Sequence, residues 1–329
     1  MTRRPRILAP TRRDILRVAA AAPAFALPAL GRPARAELGA PEAANPAHFR
    51  FTLGEARVTI VSDGYFQVPV SGIGVNADPA EVQAFLARHY LSTEESYNHT
   101  NHVLIETGDA VVLVDVGSGN RFFDTAGRLV DNLATAGIAP EDVTHVVITH
   151  AHPDHLWGIR DDFDEPLFPE AAYIIGGREK EYWEQDGLAD RVDPQAQQFV
   201  AGAVNSMAIE GVDWDLADAG HEVVPGVTLV ESPGHTPGHM SVRLESGGQV
   251  LYALGDAMTH AWVSFARPDW YNGVDSDGPQ AVASRQRLLE TAVSEKAALV
   301  GYHFPFPGVG HVMQEGGIYS FVPALWRFD

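Results

Sequence analysis

Short apolar runs alternate along the chain with segments that have a helical pattern of apolar positions. The apolar runs predict β-strands at residues 57–62, 102–106, 110–116, 145–149, 172–175, 227–231, 240–244, 249–254 and 297–300. The helical pattern covers residues 78–86, 121–136, 178–185 and 279–293, and Asp78 followed by Pro79 is a typical helix start. Because strands and helices alternate in both halves, the pattern predicts an α/β protein in which helices cover the sheets.

The first 36 residues differ in composition from the rest. They carry eight arginines and one acidic residue, with Arg12-Arg13 before an apolar run at residues 18–30 and Ala34-Arg35-Ala36 after it. This order is typical of a twin-arginine export signal, although a disordered basic tail is the alternative. We therefore predict a signal peptide at residues 1–36 and a periplasmic or secreted mature domain at residues 37–329. The apolar run is too short to remain as a membrane-spanning helix, so we expect no membrane insertion of the mature chain.

Charge and composition narrow the class of partner. The 329-residue chain has a formal net charge of −20, and residues 37–329 carry 15 basic and 42 acidic side chains, a net charge of −27. A surface this acidic repels nucleic-acid phosphates and anionic lipids, so we expect a small-molecule substrate and no nucleic-acid partner. The chain has no cysteine, so any metal must be bound through nitrogen and oxygen atoms.

The densest cluster of chemically active side chains lies at residues 149–155, which read Thr-His-Ala-His-Pro-Asp-His. His150 and His152 are two positions apart on an extended backbone, so both can lean toward one ion. Pro153 then forces a bend, which separates Asp154 and His155 from the first pair. A cluster of this kind suits two metal ions.

Three further candidate ligands each follow a predicted strand. They are His235, Asp256 and His303, which come after the strands at residues 227–231, 249–254 and 297–300. The ends of neighbouring strands meet at one edge of a sheet, where loops supply functional groups on a rigid scaffold. A lone histidine after a strand is more often structural, but three such positions together with the cluster predict a metal centre.

In their order along the chain, these motifs resemble the metallo-β-lactamase superfamily. The shared motifs are Thr149-His-x-His-x-Asp-His155, Gly234-His235, Gly255-Asp256 and His303, with Leu113-Val-Asp-Val-Gly117 upstream. The resemblance implies an αββα sandwich of two mixed β-sheets flanked by helices. It implies one metal bound by His150, His152 and His235, and a second bound by Asp154, His155 and His303. Asp256 and a hydroxide would bridge the two metals.

We predict that the metals are two zinc ions, with iron, manganese and cobalt as alternatives. Asp154 and Asp256 are the candidate catalytic residues, and Asp256 is expected to relay a proton to the leaving group. Asp115 and His239 are predicted to orient ligands without binding metal. By their positions in the resemblance, the residues predicted to form the wall of the substrate pocket are Phe122, Phe123, Trp183 and Phe265.

Differences from known members of the superfamily disfavour two of its groups, the β-lactamases and the flavodiiron proteins. Class B1 and B2 β-lactamases carry a cysteine near Asp256, class B3 enzymes lack the bridging aspartate, and flavodiiron proteins have glutamate at the position of His152. A closer similarity is to methyl parathion hydrolase and its exported di-zinc lactonase relatives, which imply a homodimer. The shared stretches are Val61-Ser-Asp-Gly64, Val68-Pro-Val70, Gly234-His-Thr-Pro-Gly-His239, Asp275-Ser-Asp277, Phe306-Pro-Gly-Val-Gly-His311 and Phe321-Val-Pro323.

Taken together, the sequence predicts a di-zinc hydrolase in which a metal-bridging hydroxide attacks a small lactone or ester of the acyl-homoserine-lactone type. The first alternative is hydrolysis of organophosphate triesters, as in methyl parathion hydrolase. A di-iron redox module and a non-catalytic binding protein are further alternatives, and the complete set of ligand residues disfavours the last.

Overall fold

The computed structural model describes residues 46–194 and 196–325, so the predicted signal peptide lies outside the described residues. The strands are β1 His48–Leu53, β2 Ala56–Pro69, β3 Glu95–Thr107, β4 Ala110–Val114, β5 His145–Ile148, β6 Ala172–Gly176, β7 Trp214–Ala217, β8 Glu222–Val224, β9 Val227–Glu231, β10 Met240–Ser246, β11 Gln249–Ala253, β12 Ala298–Val300, β13 Val309–Glu315 and β14 Ile318–Pro323. The α-helices are α1 Pro79–Arg88, α2 Leu129–Thr135, α3 Pro153–Leu156, α4 Gly177–Trp183, α5 Gln197–Met207, α6 Val263–Ala266 and α7 Gly278–Glu295.

The strands form two seven-stranded sheets. The first has the order β1-β2-β3-β4-β5-β6-β7, and the second has the order β14-β13-β12-β11-β10-β9-β8. In the first sheet β1 to β4 pair antiparallel, whereas β4 to β7 pair parallel. In the second sheet only the pairing of β11 with β12 is parallel. Both sheets are therefore mixed.

Apolar side chains form three layers that hold the sheets and helices together. Between the sheets, Ile60 and Ile105 of the first sheet share one buried cluster with Leu229 and Leu251 of the second. On the outer face of the first sheet, a second cluster includes residues of α2 and α5, and a third joins α7 to the outer face of the second sheet. This is the predicted αββα sandwich, and the fold prediction is confirmed.

The parallel strands at the centre of the first sheet explain why the ligand-bearing loops are rigid. Strands β4 and β5 read Ala-Val-Val-Leu-Val and His-Val-Val-Ile, and most of these side chains are fully buried. Continuous apolar runs are typical of strands covered on both faces. The ends of these strands therefore present the following loops from a well-packed base.

Three predicted elements differ most in their bounds, and one of them, the strand predicted at residues 102–106, begins already at Glu95. The segment 121–136 is helical only at Leu129–Thr135, because Gly127 has φ +80° and a Cβ there would lie 2.1 Å from the Gly119 carbonyl oxygen. The first predicted strand continues to Pro69 through an irregularity between Ser62 and Gly64. Strands β1, β7, β8, β13 and β14 and helices α3, α5 and α6 were not predicted. The alternating Phe49, Phe51 and Leu53 of β1 were overlooked as a strand pattern, whereas α3 and α6 have only four residues each. Among the described residues, none of the helices is both long and apolar enough to cross a membrane.

Helix α7 offers a direct test of its predicted start. The Asp277 side chain accepts a hydrogen bond from the Gln280 backbone N–H at 3.0 Å, so Asp277 is the N-cap. We expect Asp277→Ala to lower the free energy of unfolding by about 1 kcal/mol, because one helix N–H loses its partner. Urea unfolding measures this, and Glu290→Ala at an exposed position of the same helix should stay within about 0.5 kcal/mol of the unchanged protein. Equal losses in both variants would contradict the cap.

Candidate metal centre

The loop after β5 supplies four of the candidate ligands. The strand ends at Ile148, the chain bends at Thr149, and His152 is again extended, with φ −69° and ψ 160°. Pro153 then occupies the first position of α3, so Asp154 and His155 lie in the first turn of a short helix. The bend predicted at Pro153 is therefore the boundary between the two pairs of ligands.

Three other loops bring the remaining ligands to the same edge. His235 follows β9, Asp256 follows β11 and His303 follows β12. Glycine allows a close approach before His235, since a Cβ on Gly234 would lie 2.0 Å from the Ala281 nitrogen of α7. Gly255, which has φ +52°, likewise allows a close approach of the chain before Asp256.

The structure gathers the seven predicted ligands into two adjoining sets. In the first set, His152 Nδ1 lies 3.0 Å from both His150 Nε2 and His235 Nε2, and His235 Nε2 lies 3.2 Å from Asp256 Oδ2. The second set consists of Asp154, His155 and His303. Within each set the candidate ligand atoms all lie within 4.8 Å of one another.

Asp256 lies between the two sets. Its Oδ2 is 3.1 Å from His303 Nε2, and its Oδ1 is 3.3 Å from His155 Nε2. Asp154 Oδ2 faces the same two imidazoles at 3.4 Å each. One carboxylate therefore contacts histidines from both sets, as the bridging prediction requires.

The donor set fits divalent metal ions. Three buried atoms at its centre, Asp154 Oδ2, His155 Nε2 and Asp256 Oδ1, have no hydrogen-bond partner. Buried polar atoms without partners lower the stability of the protein, so this group of atoms indicates a site for a bound ion. Imidazole nitrogens 3.0 Å apart are close to the spacing of about 3.3 Å that neighbouring ligands have around a tetrahedral zinc ion.

The charges of the site favour a cation. Burial and the nearby His235 lower the pKa of His152 to about 3, so this imidazole is neutral and able to bind a metal. Burial alone would raise the pKa of Asp256, but His303 and His155 hold it well below its usual range. Burial alone would lower the pKa of His235, but hydrogen bonds to Asp256 and Asp275 raise it to about 9. His150 and His152 are thus neutral, whereas the raised pKa values of His155, His235 and His303 favour their protonated forms beside the ionised Asp256, and a metal ion must displace these protons to bind.

Side chains behind the ligands fix their orientation. Asp115 Oδ2 accepts a hydrogen bond from His155 Nδ1 at 2.7 Å and one from the Thr149 hydroxyl, which leaves His155 Nε2 facing the site. His239 Nε2 accepts a hydrogen bond from the Asp256 backbone N–H at 2.9 Å. Both residues therefore lie where the orienting roles predicted from the sequence require.

Three supporting residues were missed from the sequence. Asp275 Oδ1 lies 3.0 Å from His235 Nδ1, and the ring of Tyr302 stacks on that of His155 with centroids 3.9 Å apart. Glu179 hydrogen-bonds to the loops on either side of the first set. Asp275 was noticed only as part of a shared stretch, and nothing in the local sequence distinguishes Glu179 from a surface glutamate.

The predicted pocket aromatics lie in different environments. Phe122 and Phe123 pack on Phe66, whose ring edge faces His303 at 5.3 Å between centroids. Trp183 is buried with its ring 5.7 Å from that of His152, and its Nε1 donates to Glu179. Phe265 is 1% exposed and packs on Phe304 and Phe321 in the outer core. Because it is enclosed, Phe265 offers no surface to a ligand, which corrects its assignment as pocket wall.

A cavity of about 150 Å³ opens beside His303. Its wall comes from the end of β2, from the end of α1 and the loop after it, from the start of β3 and from the loop before α6. The apolar residues of this wall are Val70, Ile73, Leu86, Leu91, Ala261 and Trp262. The cavity therefore joins the second ligand set to a largely apolar surface that the sequence did not identify.

Comparisons with known proteins agree with this geometry. The sequence model described as "Metallo-beta-lactamase superfamily" matches residues 98–303. An N-acyl homoserine lactonase of Bacillus sp is 26% identical over 214 residues, which cover 59% of this chain and 76% of the relative.

Two solved structures have the same fold. The hydrolase AbOPH, described as a member of the beta lactamase superfamily, has a TM-score of 0.80 and 25% identity over 87% of this chain and 100% of its own. AidC, described as a dizinc quorum-quenching lactonase, has a TM-score of 0.75 and 24% identity over 85% of this chain and 98% of its own.

The contact between Asp115 and His155 leads to a prediction about metal affinity. Asp115→Asn keeps the size of the side chain but replaces one acceptor oxygen with an amide NH₂ group. This group would face the donors of Thr149 or His155 and could not accept their hydrogen bonds. We expect zinc affinity to fall about 10–100-fold, because His155 loses the partner that orients it. Competition with a coloured chelator measures this, and Asp131→Asn, on the exposed face of α2, is the control. Unchanged affinity in Asp115→Asn would show that the contact does not orient the ligand.

Proposed function

Because the chain belongs to the metallo-β-lactamase superfamily, we propose that it is a di-zinc hydrolase that opens N-acyl homoserine lactones or closely similar small esters. That it is a metal-dependent hydrolase follows from the family and from its lactonase relatives. The observation that carries the finer proposal is the position of Asp256, which contacts histidines of both ligand sets at 3.1–3.3 Å. A carboxylate in this position supports two metal ions that act on one substrate.

The donor set supports zinc as the metal. Five imidazoles and two carboxylates surround the site, and the chain has no thiolate to offer. Zinc binds nitrogen and oxygen ligands of this kind, and catalytic zinc keeps a position open for water or substrate. The number and the identity of the metal ions are part of the proposal.

The reaction proposed is ring opening by water. When bound, the two zinc ions would polarise the scissile carbonyl and acidify a water molecule. Water oxygen forms a bond to the carbonyl carbon, the ring C–O bond breaks, and the proton passes from water to the departing alkoxide. Asp154 and Asp256 are the two carboxylates of the site, so we assign the oxygen of each that does not bind metal to hold this proton during transfer.

The cavity beside His303 supports an acyl substrate. Its apolar wall suits a hydrocarbon chain, which gains free energy when it leaves water. Phosphotriester hydrolysis would use the same ligands, but no feature of the described residues favours it. We also propose, from residues 1–36 and the resemblance alone, that the protein is exported by the twin-arginine route and forms a homodimer.

A parallel assay tests the substrate class. We expect turnover of an N-acyl homoserine lactone to exceed that of an aryl ester and of a methyl phosphotriester, because the cavity accepts an acyl chain beside the metal centre. Dialysis against a chelator should abolish the activity, and added zinc should restore it. Dominant phosphotriester turnover would contradict the substrate while leaving a metal-dependent hydrolase.

Two substitutions test the ligand roles. We expect His152→Ala and Asp256→Asn each to lower kcat/KM for the lactone by at least about 1,000-fold, since each removes a group from the centre of the site. Circular dichroism checks that both variants fold. Activity within about tenfold of the unchanged protein in either variant would refute the assignment of that residue.

A further inference from the structure

Glu179 is a fully buried carboxylate on helix α4. Its Oε1 accepts hydrogen bonds from the Ala151 backbone N–H at 3.0 Å and from Trp183 Nε1 at 2.7 Å. Its Oε2 accepts from the Thr236 hydroxyl at 2.7 Å and from the Gly238 backbone N–H at 3.0 Å. Four neutral donors therefore satisfy both oxygens of one buried charge.

Three of the four donors, Ala151, Thr236 and Gly238, belong to the two loops that carry the first ligand set. Ala151 lies between His150 and His152, and Thr236 follows His235 directly. The loops come from different sheets, since one follows β5 and the other follows β9. A single carboxylate thus joins the two loops that together supply all three histidines of that set.

Helix α4 approaches the second loop closely enough to make this bridge short. A Cβ on Gly238 would lie 2.1 Å from the Glu179 nitrogen, so glycine is required there. One turn after Glu179, Trp183 supplies the fourth hydrogen bond and places its ring against that of His152. The helix therefore contacts both loops through two side chains four residues apart.

Packing alone does not account for a charged residue here. Burial of a carboxylate costs several kcal/mol, and an apolar side chain of similar volume commonly packs at least as well. What an apolar residue lacks is a rigid pair of acceptors that reaches backbone N–H groups on two loops at once. The hydrogen bonds are thus the specific property of Glu179.

We propose that Glu179 is a positioning residue that sets the spacing of His150, His152 and His235 and thereby the affinity of this set for metal. The proposal rests on the proposed function only in that these histidines bind zinc. Glu179 hydrogen-bonds to none of the candidate ligand side chains, so it acts through the two loops. The alternative is that Glu179 stabilises the attachment of α4 and does not influence the ligands.

The test is zinc release from the purified holoenzyme of the unchanged protein, Glu179→Gln and Tyr173→Phe. Glutamine keeps the shape, but its amide nitrogen must face donors on one side, so one loop is released. Tyr173 is buried on the neighbouring strand and hydrogen-bonds only to the Phe168 backbone, so its variant is a control for lost stability. Competition with a coloured chelator gives the number and affinity of the zinc ions, and the melting temperature of the metal-free proteins gives the structural effect.

We expect the unchanged protein to release two zinc ions at similar chelator concentrations. Glu179→Gln should release one of them at a concentration at least about tenfold lower and the other at the unchanged concentration. Tyr173→Phe should melt at a lower temperature with unchanged zinc affinities. If Glu179→Gln does not fold, Thr236→Val is tested instead, since it removes a single donor to Glu179. In that variant we expect the affinity for one of the two zinc ions to fall several-fold.

Other outcomes overturn the proposal in distinguishable ways. Unchanged zinc release in the folded variant, or an equal loss in Tyr173→Phe, refutes the role of Glu179 alone. An unchanged protein that binds no zinc refutes this role and the proposed function together. An unchanged protein that binds two zinc ions without opening lactones refutes the proposed substrate and leaves the result for Glu179 intact.

Discussion

The crowding of ligand atoms around Asp256 is the constraint on which the rest of the structure depends. Imidazole nitrogens approach one another to 3.0 Å, and buried carboxylate oxygens point between them without donors of their own. Such a group is costly in an interior of low dielectric constant unless positive charge lies within it. Divalent metal ions would supply that charge, so the donor arrangement itself favours their binding. The protein must hold the ligands close together against this cost.

The scaffold meets that requirement with rigid strand ends and a layer of hydrogen-bonding side chains behind the ligands. Asp115 fixes His155, Asp275 fixes His235, and His239 holds the backbone of Asp256. Glu179 differs from these three because it bonds to backbone and hydroxyl groups of two loops rather than to a ligand. Asp115, Asp275 and His239 thus orient single ligands, whereas Glu179 holds two ligand-bearing loops at a fixed spacing.

The parts of this arrangement that the sequence predicts are those encoded locally. The cluster of ligands at residues 149–155 could be predicted because local features determine its geometry. These features are the bend at Pro153 and the alternating side-chain directions of an extended backbone before it. His235, Asp256 and His303 were identified from the strands before them and from the resemblance. Glu179 was missed because three of its four partners lie 28 to 59 residues away in the chain. Phe265 was misassigned because its position in the resemblance does not say whether the ring faces the site or the outer core, where the structure places it.

If the cavity beside His303 binds the acyl chain as proposed, the residues that choose the substrate are separated in the chain from the metal ligands. The superfamily match begins at residue 98, and every candidate metal ligand lies within residues 98–303. Much of the cavity wall precedes that match, including Val70, Ile73, Leu86 and Leu91. Membership of the family therefore accounts for the ligands and the hydrolytic chemistry. The residues that would contact an acyl chain lie in large part before residue 98, outside the part of the chain that the family model matches. For this reason the lactone substrate rests on the shape and apolar character of this cavity, and substitutions at residues 70–97 should alter the choice of acyl chain without altering metal binding.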